Sequence, residues 1–235
     1  IYNQLTFMKA IILAGGLGTR LRPITYEIPK PLITVKRRPI INYIIDLFRN
    51  HGVSEVGVIV SREHENDFLH WKKDWQDELA NVSLFYEEKP AGTFGWLKNL
   101  RDWIGNEKFI LSNGDELKDF DLTALKNFHE GHSPVATIAL VKVPNPHEYG
   151  VPVLESHLVR DFLEKPANPP SDFVNSGLYI LEPTIFEFAN LDQDYLMIEK
   201  DVFPHVAKAG KLAGMKMENS RWYDCGNLER WEKAI

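Results

Sequence analysis

Short apolar segments alternate with helix-like segments through the first half of the chain, and this alternation limits the possible folds more than any other feature. Lys9–Leu13 is strand-like. Pro39–Asn50 has helical spacing, with Ile40, Ile41, Ile44, Ile45, Leu47 and Phe48 on one broad apolar face, and His51-Gly52 closes it. Glu55–Val60 reads as a second strand and Arg62–Glu78 as a polar helix. Val82–Glu87, a helix over Trp96–Ile104 and a strand over Phe109–Ser112 follow. Repeats of this kind join parallel strands through crossover helices, so an α/β fold with a mainly parallel sheet flanked by helices is expected. Ligands of such sheets bind outside the carboxyl ends of the strands. The glycine loops after the first and third strands, and Asn113-Gly114-Asp115 after the fourth, fall on that edge.

The second half changes character. Val135–Val143 is strand-like and is broken by Pro144, Pro146 and Tyr149-Gly150. Val151–Leu154 and Leu158–Glu164 pattern as a hairpin, followed by a proline-rich loop from Lys165 to Ser171. A strand over Phe173–Leu181, a helix from about Pro183 and a helix over Tyr195–Ala209 come next. Leu212–Met217 and Arg221–Asp224 are strand-like. No linker or internal repeat separates the halves. One domain is expected over residues 8–235, with a nucleotide-side half at 8–133 and a mixed β lobe at 134–235. Met8-Lys9-Ala10 resembles a natural start, which makes residues 1–7 an upstream extension or an expression remnant.

The loop after the first strand is Ala14-Gly15-Gly16-Leu17-Gly18-Thr19-Arg20. Its glycines allow the backbone to approach a ligand and turn N–H groups towards it. Arg20, Arg22 and Lys30 follow, and exposed amides beside fixed cations suit a polyphosphate. No Gly-Lys pair has P-loop spacing, and Gly16-x-Gly18 is followed by Thr19, Arg20 and Leu21, which breaks the dinucleotide fingerprint. On these residues alone, a glycine-rich turn with solvated cations is the alternative.

Net charge is −6, which argues against a nucleic-acid surface and requires that an anionic substrate be met locally. Residues 20–38 provide that, with Arg20, Arg22, Lys30, Lys36, Arg37 and Arg38 against the single acid Glu27. No run approaches the ~20 apolar residues of a membrane span. The single cysteine, Cys225, excludes an internal disulfide and fits a reducing compartment, so a cytoplasmic location is expected.

AGGLGTRLRP followed by Pro29-Lys30-Pro31-Leu32 resembles the signature of the sugar-1-phosphate nucleotidyltransferases, and the likeness continues to the last residues. Within that family the chain is most similar to the mannose-1-phosphate guanylyltransferase branch, through Met197-Ile198-Glu199-Lys200-Asp201-Val202-Phe203-Pro204 and the Glu87–Gly95 loop. The resemblance implies a Rossmann-like, GT-A-like sheet with a mixed β sugar-binding lobe. It implies NTP and sugar-1-phosphate as substrates, no nucleic-acid or membrane partner, and leaves a homo-oligomer open. Longer relatives carry a C-terminal left-handed β-helix, which is expected to be absent here.

The implied chemistry is in-line attack at phosphorus by a sugar phosphate that is already an anion, so no Ser, Cys or His nucleophile is required. Alignment and charge neutralisation are the needs. Asp115, directly after an apolar strand, is the first metal ligand implied, and Asp224 in Trp222-Tyr223-Asp224-Cys225-Gly226 the second, with Mg²⁺ as cofactor. Arg20 and Lys30 are implied on the nucleotide phosphates. Leu13, Ala14, Gly15, Gly16, Gly18, Thr19, Glu88, Gly92, Thr93 and Gly114 complete the implied nucleotide site. Gly150, Glu164, Lys165 and Asn175 are implied on the sugar phosphate, Lys165 also as a catalytic cation.

Other residues read more plainly. Glu116 and Asp119 are expected to be solvated or capping, His129 and His132 to lie at a helix end in surface roles, and Cys225 to pack. Phe94 and Trp96 either reshape the base pocket or belong to the core. Uridylyl, thymidylyl or cytidylyl transfer, a non-catalytic regulatory homologue and an NDP-sugar glycosyltransferase are the rivals. Retention of Arg20, Lys30, Asp115, Lys165 and Asp224 weighs against the regulatory homologue, and the lack of an Asp-x-Asp motif at Asp115-Glu116-Leu117 against the glycosyltransferase.

Overall fold

The computed structural model describes residues 8–234, so the extension expected at residues 1–7 lies outside the described residues. In chain order the strands are β1 Lys9–Leu13, β2 Thr34–Val35, β3 Arg38–Pro39, β4 Glu55–Ser61, β5 Val82–Glu87, β6 Phe109–Asn113 and β7 Glu116–Asp119. They continue as β8 Ala136–Lys142, β9 Gly150–Glu155, β10 Leu158–Glu164, β11 Phe173–Leu181, β12 Leu212–Lys216 and β13 Arg221–Asp224. The α-helices are α1 Ile40–Asn50, α2 Glu65–Asp74, α3 Arg101–Ile104, α4 Leu122–His132, α5 Phe203–Lys208 and α6 Leu228–Ala234.

Two compact units make up the chain. The first takes the residues up to Pro90, Ser112–Phe120 and the chain from Arg221 onward; the second takes Ala91–Leu111 and Asp121–Ser220.

In the first unit β1 pairs parallel with β4 and β4 parallel with β5, as strand–helix alternation requires. Ala10, Ile11 and Ile12 of β1 are all buried, the continuous apolar run of a strand covered on both faces. Helix α1 buries Ile40, Ile41, Ile44, Ile45, Leu47 and Phe48, the whole apolar face read from its spacing. Two short antiparallel pairs were not legible in the sequence: β2 with β3, and β7 with β13. Leu21, Ile33, Val35, Ile40 and Cys225 form a small core, with Trp231 of α6 packed on it.

In the second unit β8 lies between β11, antiparallel, and β12, parallel. Strand β10 pairs antiparallel with both β12 and β9, with a bulge between Val159 and Asp161. This is a mixed sheet as expected, but the unit that carries it also takes in Ala91–Leu111 and begins again at Asp121, and it leaves out the chain from Arg221 onward, so its bounds differ from the expected 134–235. Asp121 caps α4, accepting from the Ala124 N–H at 2.9 Å.

Several boundaries differ. The helix expected over Trp96–Ile104 is a 3-10 segment, Gly95–Leu100, followed by the single α-turn of α3. Arg62–Glu78 forms α2 only over Glu65–Asp74, behind a 3-10 turn. Tyr195–Ala209 becomes helical only at Ile198, because the Met197 N–H is taken by the Asp201 carboxylate at 2.6 Å and Leu196 bonds the backbone of Ala91. Its first turn, Ile198–Val202, is a π-helix that runs directly into α5, of which Pro204 is the second residue. No helix among the described residues is long and apolar enough to cross a membrane.

Candidate functional site

In the first unit the glycine loop leaves β1 anchored to β4, the Ala14 N–H donating to the Ile59 carbonyl at 2.8 Å. Gly18 sits at φ 58 with its carbonyl accepting from the Thr25 hydroxyl at 2.9 Å, a conformation that favours glycine. A Cβ on Gly15 would lie 1.9 Å from Glu87 Oε1, whereas one on Gly16 would meet open space. The loop therefore rests on a buried carboxylate at the end of β5. Glu88, the neighbour implied in base recognition, is exposed and accepts from Arg62 Nε and Nη2 at 3.0 and 2.9 Å.

Arg20 and Lys30 are both brought to this loop's surroundings. Arg20 lies exposed on a short 3-10 turn whose Leu21 is buried. Lys30 is only 6% exposed, held between Pro29 and Pro31, and forms an ion pair with Asp115. Asp115 lies in the turn from β6 to β7. The preceding Gly114 donates to the Leu13 carbonyl at 2.9 Å, so close that a Cβ there would sit 2.7 Å from that oxygen. Burial pushes the Asp115 carboxyl up, but Lys30 overrules it, with help from Lys118 and Arg20, and holds the group below the ordinary carboxylate value.

Asp224 ends β13, directly opposite Glu116 of β7, and the Cys225 N–H donates to the Asp115 carbonyl at 3.3 Å. The two carboxylates implied as metal ligands are thus on neighbouring backbones. Asp224 is ion-paired with Arg230 of α6. A Cβ on Gly226 would lie 2.6 Å from Asp224 Oδ1 and 3.1 Å from Arg20 Nη2, which places Arg20 beside Asp224 as well.

Glu116, expected to be solvated, is buried. It accepts from Asn113 Nδ2 at 3.0 Å and Trp222 Nε1 at 2.9 Å, and pairs with Lys118 at 3.1 Å. Burial pushes its carboxyl up, against Lys118 and with Asp115 and Asp224 adding to the rise. The Lys118 side chain is fully buried and also donates to Ser112 Oγ at 2.9 Å. Glu-Leu-Lys-Asp looks solvent-facing in sequence, and only the distant partner strand makes it an interior ribbon. Asp119 stays exposed against Arg221. Cys225 packs as expected, its thiol pushed up to about 12 chiefly by burial.

In the second unit Gly92 has φ 76 and lies against Leu196, where a Cβ would come within 2.3 Å of the carbonyl oxygen. Thr93 donates to Glu199 Oε2 at 2.8 Å and accepts from the Ile198 N–H at 2.9 Å. Phe94 is a core residue, fully buried 5.4 Å from Phe186, so the base-pocket alternative does not apply to it. Gly150 lies under Phe162 and Glu164, with a Cβ there 3.1 Å from Glu164 Oε2. Lys165, at φ 50 and largely exposed, has its Nζ 3.7 Å from Glu164. Asn175 donates to the Tyr179 hydroxyl at 2.8 Å, and that hydroxyl donates to Glu199 Oε1 at 3.3 Å. Glu199, not singled out as a site residue in the sequence, therefore links Thr93 with Tyr179 and Asn175. Its carboxyl is pushed up by burial, and Glu164 adds to the rise.

His129 is not at the surface. It is buried between Thr137 at 2.8 Å and Glu182 at 3.1 Å, with burial pushing its imidazole down. No group of three or more His, Cys, Asp or Glu that could hold a metal occurs among the described residues.

The chain belongs to the nucleotidyl transferase family, whose model matches residues 9–235. Among its relatives, mannose-1-phosphate guanyltransferase beta-A of Xenopus laevis is 36% identical over 93% of this chain, and mannose-1-phosphate guanylyltransferase 1 of Arabidopsis thaliana is 35% identical over 93%. The chain spans 61% of the length of each. A Bacillus anthracis protein assigned as a glucose-1-phosphate thymidylyltransferase has a similar structure, with TM-score 0.87 and 25% identity over 97% of this chain and 93% of that one. A UDP-glucose pyrophosphorylase solved with UDP-glucose shares the fold, with TM-score 0.79 and 23% identity over 97% of both chains.

Proposed function

We propose that the protein transfers a nucleotidyl group from an NTP to a sugar-1-phosphate, giving an NDP-sugar and pyrophosphate. The observation that carries this reading is the Lys30–Asp115 ion pair, with Arg20 beside Asp224, gathered at the glycine loop. Two cations suit a polyphosphate, and two hard carboxylate ligands fit the one or two that Mg²⁺ takes while substrate phosphates fill its remaining positions. The donor chemistry fits the metal, and Asp115 and Asp224 are the residues that would hold it. Bound there, the ion would neutralise charge on the reacting phosphate.

Arg20 and Lys30 bind and orient the triphosphate, and Lys30 keeps Asp115 ionised. Loop 14–19 presents backbone amides to the phosphates. In the second unit Glu164 and Asn175 accept and donate hydrogen bonds to sugar hydroxyls, and the exposed Lys165 receives the sugar phosphate. The names of the relatives favour GTP and mannose-1-phosphate as the first pair to test; a heptose-1-phosphate, the other acceptor suggested by the sequence resemblance, comes second.

The test is pyrophosphate release with Mg²⁺ across a grid of NTPs and sugar-1-phosphates. Turnover on one pair, reduced at least about 100-fold in Asp115→Asn, supports the reading. Full activity of Asp115→Asn, or nucleotide-sugar binding with no turnover on any pair, overturns it.

A further inference from the structure

Arg230 is fixed where a divalent ion would have to displace it. The Arg230 side chain is 16% exposed and that of its partner Asp224 10%. Its helix is capped by Asn227, whose Oδ1 accepts from the Arg230 N–H at 2.9 Å, and is tied to the fold by Trp231 Nε1, which donates to the Thr34 carbonyl at 3.1 Å. The guanidinium is largely buried against Asp224 in that ion pair. Asp115 has Lys30 in the same role.

The charges around these two pairs decide what can enter. Lys30 pairs with Asp115, Lys118 with Glu116 and Arg230 with Asp224. A bare divalent cation at Asp115 and Asp224 would have to displace a cation already paired with each. A metal–triphosphate complex brings net negative charge, and its phosphate oxygens offer Lys30 and Arg230 the partners they give up. Guanidinium is well suited to that exchange, because its donor fork matches phosphate as well as carboxylate.

We propose that Arg230 is a resident counter-cation of Asp224, which keeps the nucleotide-free protein weak for divalent ions and makes metal binding depend on the nucleotide that arrives with it. This rests on the reading of Asp224 as a metal ligand. Arg230 and Lys30 each occupy one carboxylate until the triphosphate relieves them.

The test is Mn²⁺ binding to nucleotide-free protein, measured by EPR of the free ion, with no turnover involved. Arg230→Gln is expected to bind Mn²⁺ about tenfold tighter than the parent, the low end of what a neighbouring opposite charge does to a carboxylate's affinity for a proton. Arg230→Lys keeps the charge and stays near the parent. The gain vanishes in Arg230→Gln/Asp224→Asn. A non-hydrolysable NTP analogue raises Mn²⁺ affinity more in the parent than in Arg230→Gln, and Arg230→Met supplies the same charge-free comparison should the glutamine variant fold poorly. Unchanged or weaker Mn²⁺ binding by folded Arg230→Gln, or equal nucleotide enhancement with and without the cation, overturns the counter-cation role. In that event a loss of Mn²⁺ binding in Asp224→Asn leaves the metal reading standing, whereas indifference to Asp224→Asn removes that reading as well.

Discussion

The carboxylate of Glu87 lies directly beneath Gly15, so that a methyl group on Gly15 would fall 1.9 Å from Oε1. Gly15→Ala must push a buried carboxylate aside or lift the loop. The expected cost is about 1–3 kcal/mol, read as a lowered thermal midpoint. Gly16→Ala, with nothing within 4 Å, should stay within about 0.5 kcal/mol of the parent. Equal midpoints for the two variants would show that Glu87 does not support the loop.

Lys30 and Asp115 give the first unit a signature in acid. Asp115 titrates below its unfolded value, so its contribution to stability is complete above that value, near 4, and is lost as pH falls through the folded one. In Lys30→Met the main counter-charge is gone and burial prevails, so the carboxyl rises and protonation then favours the folded state. Because a third of the Asp115 side chain is open to water, the loss at pH 7 is expected to be about 1–3 kcal/mol rather than that of a sealed pair. The gap between parent and variant should narrow as pH falls from 7 towards 3 in urea melts. A constant gap would mean that the pair carries no linked proton.

Lys118 and Glu116 form a sealed pair by comparison, with side chains 0% and 9% exposed. Lys118→Met strands a buried carboxylate and should cost about 3–5 kcal/mol. The double variant Glu116→Gln/Lys118→Met keeps the amide contact to Trp222 and should recover more than half of that loss. Recovery in a denaturant-based double-mutant cycle measures the coupling, and simple additivity of the two single losses would contradict it.

What the sequence disclosed, and what it hid, divides along the range of the interactions. β1, α1, β4 and β5 are written in local periodicity, and Ile11, Ile44 and Val58 are buried where that periodicity places them. The glycine loop is local as well, and Lys30 and Asp115 could be named from their own neighbourhoods. That they touch could not, because 85 residues separate them. The β7–β13 ribbon was illegible for the same reason: Glu116 and Lys118 look solvated until Trp222, 106 residues from Glu116, supplies a donor and a cover. Phe94 was undecided because only Phe186 makes it core. His129 was misread because helix position alone does not reveal Thr137 and Glu182.

Glu199 is the same kind of residue in the second unit, and its titration has the opposite sign to that of Asp115. Burial raises its folded value above the unfolded one, near 4.3, so its favourable contribution is present below the unfolded value and is lost as pH rises through the folded one. Glu199→Gln can still accept from Thr93 or Tyr179 through its amide oxygen, while its NH2 has no carboxylate charge to bury. The variant should therefore match or exceed the parent in stability at pH 8 and lose that advantage at pH 4. Thr93→Val instead removes a donor to Glu199 and the acceptor of the Ile198 N–H, and should cost about 1–3 kcal/mol at pH 7. Because Glu199 leads through Tyr179 to Asn175, which the proposed reading places on the sugar, Glu199→Gln should also raise KM for the sugar phosphate more than KM for the NTP. A pH-stability profile of Glu199→Gln parallel to that of the parent would show that this carboxylate is already paired well enough to stay ionised.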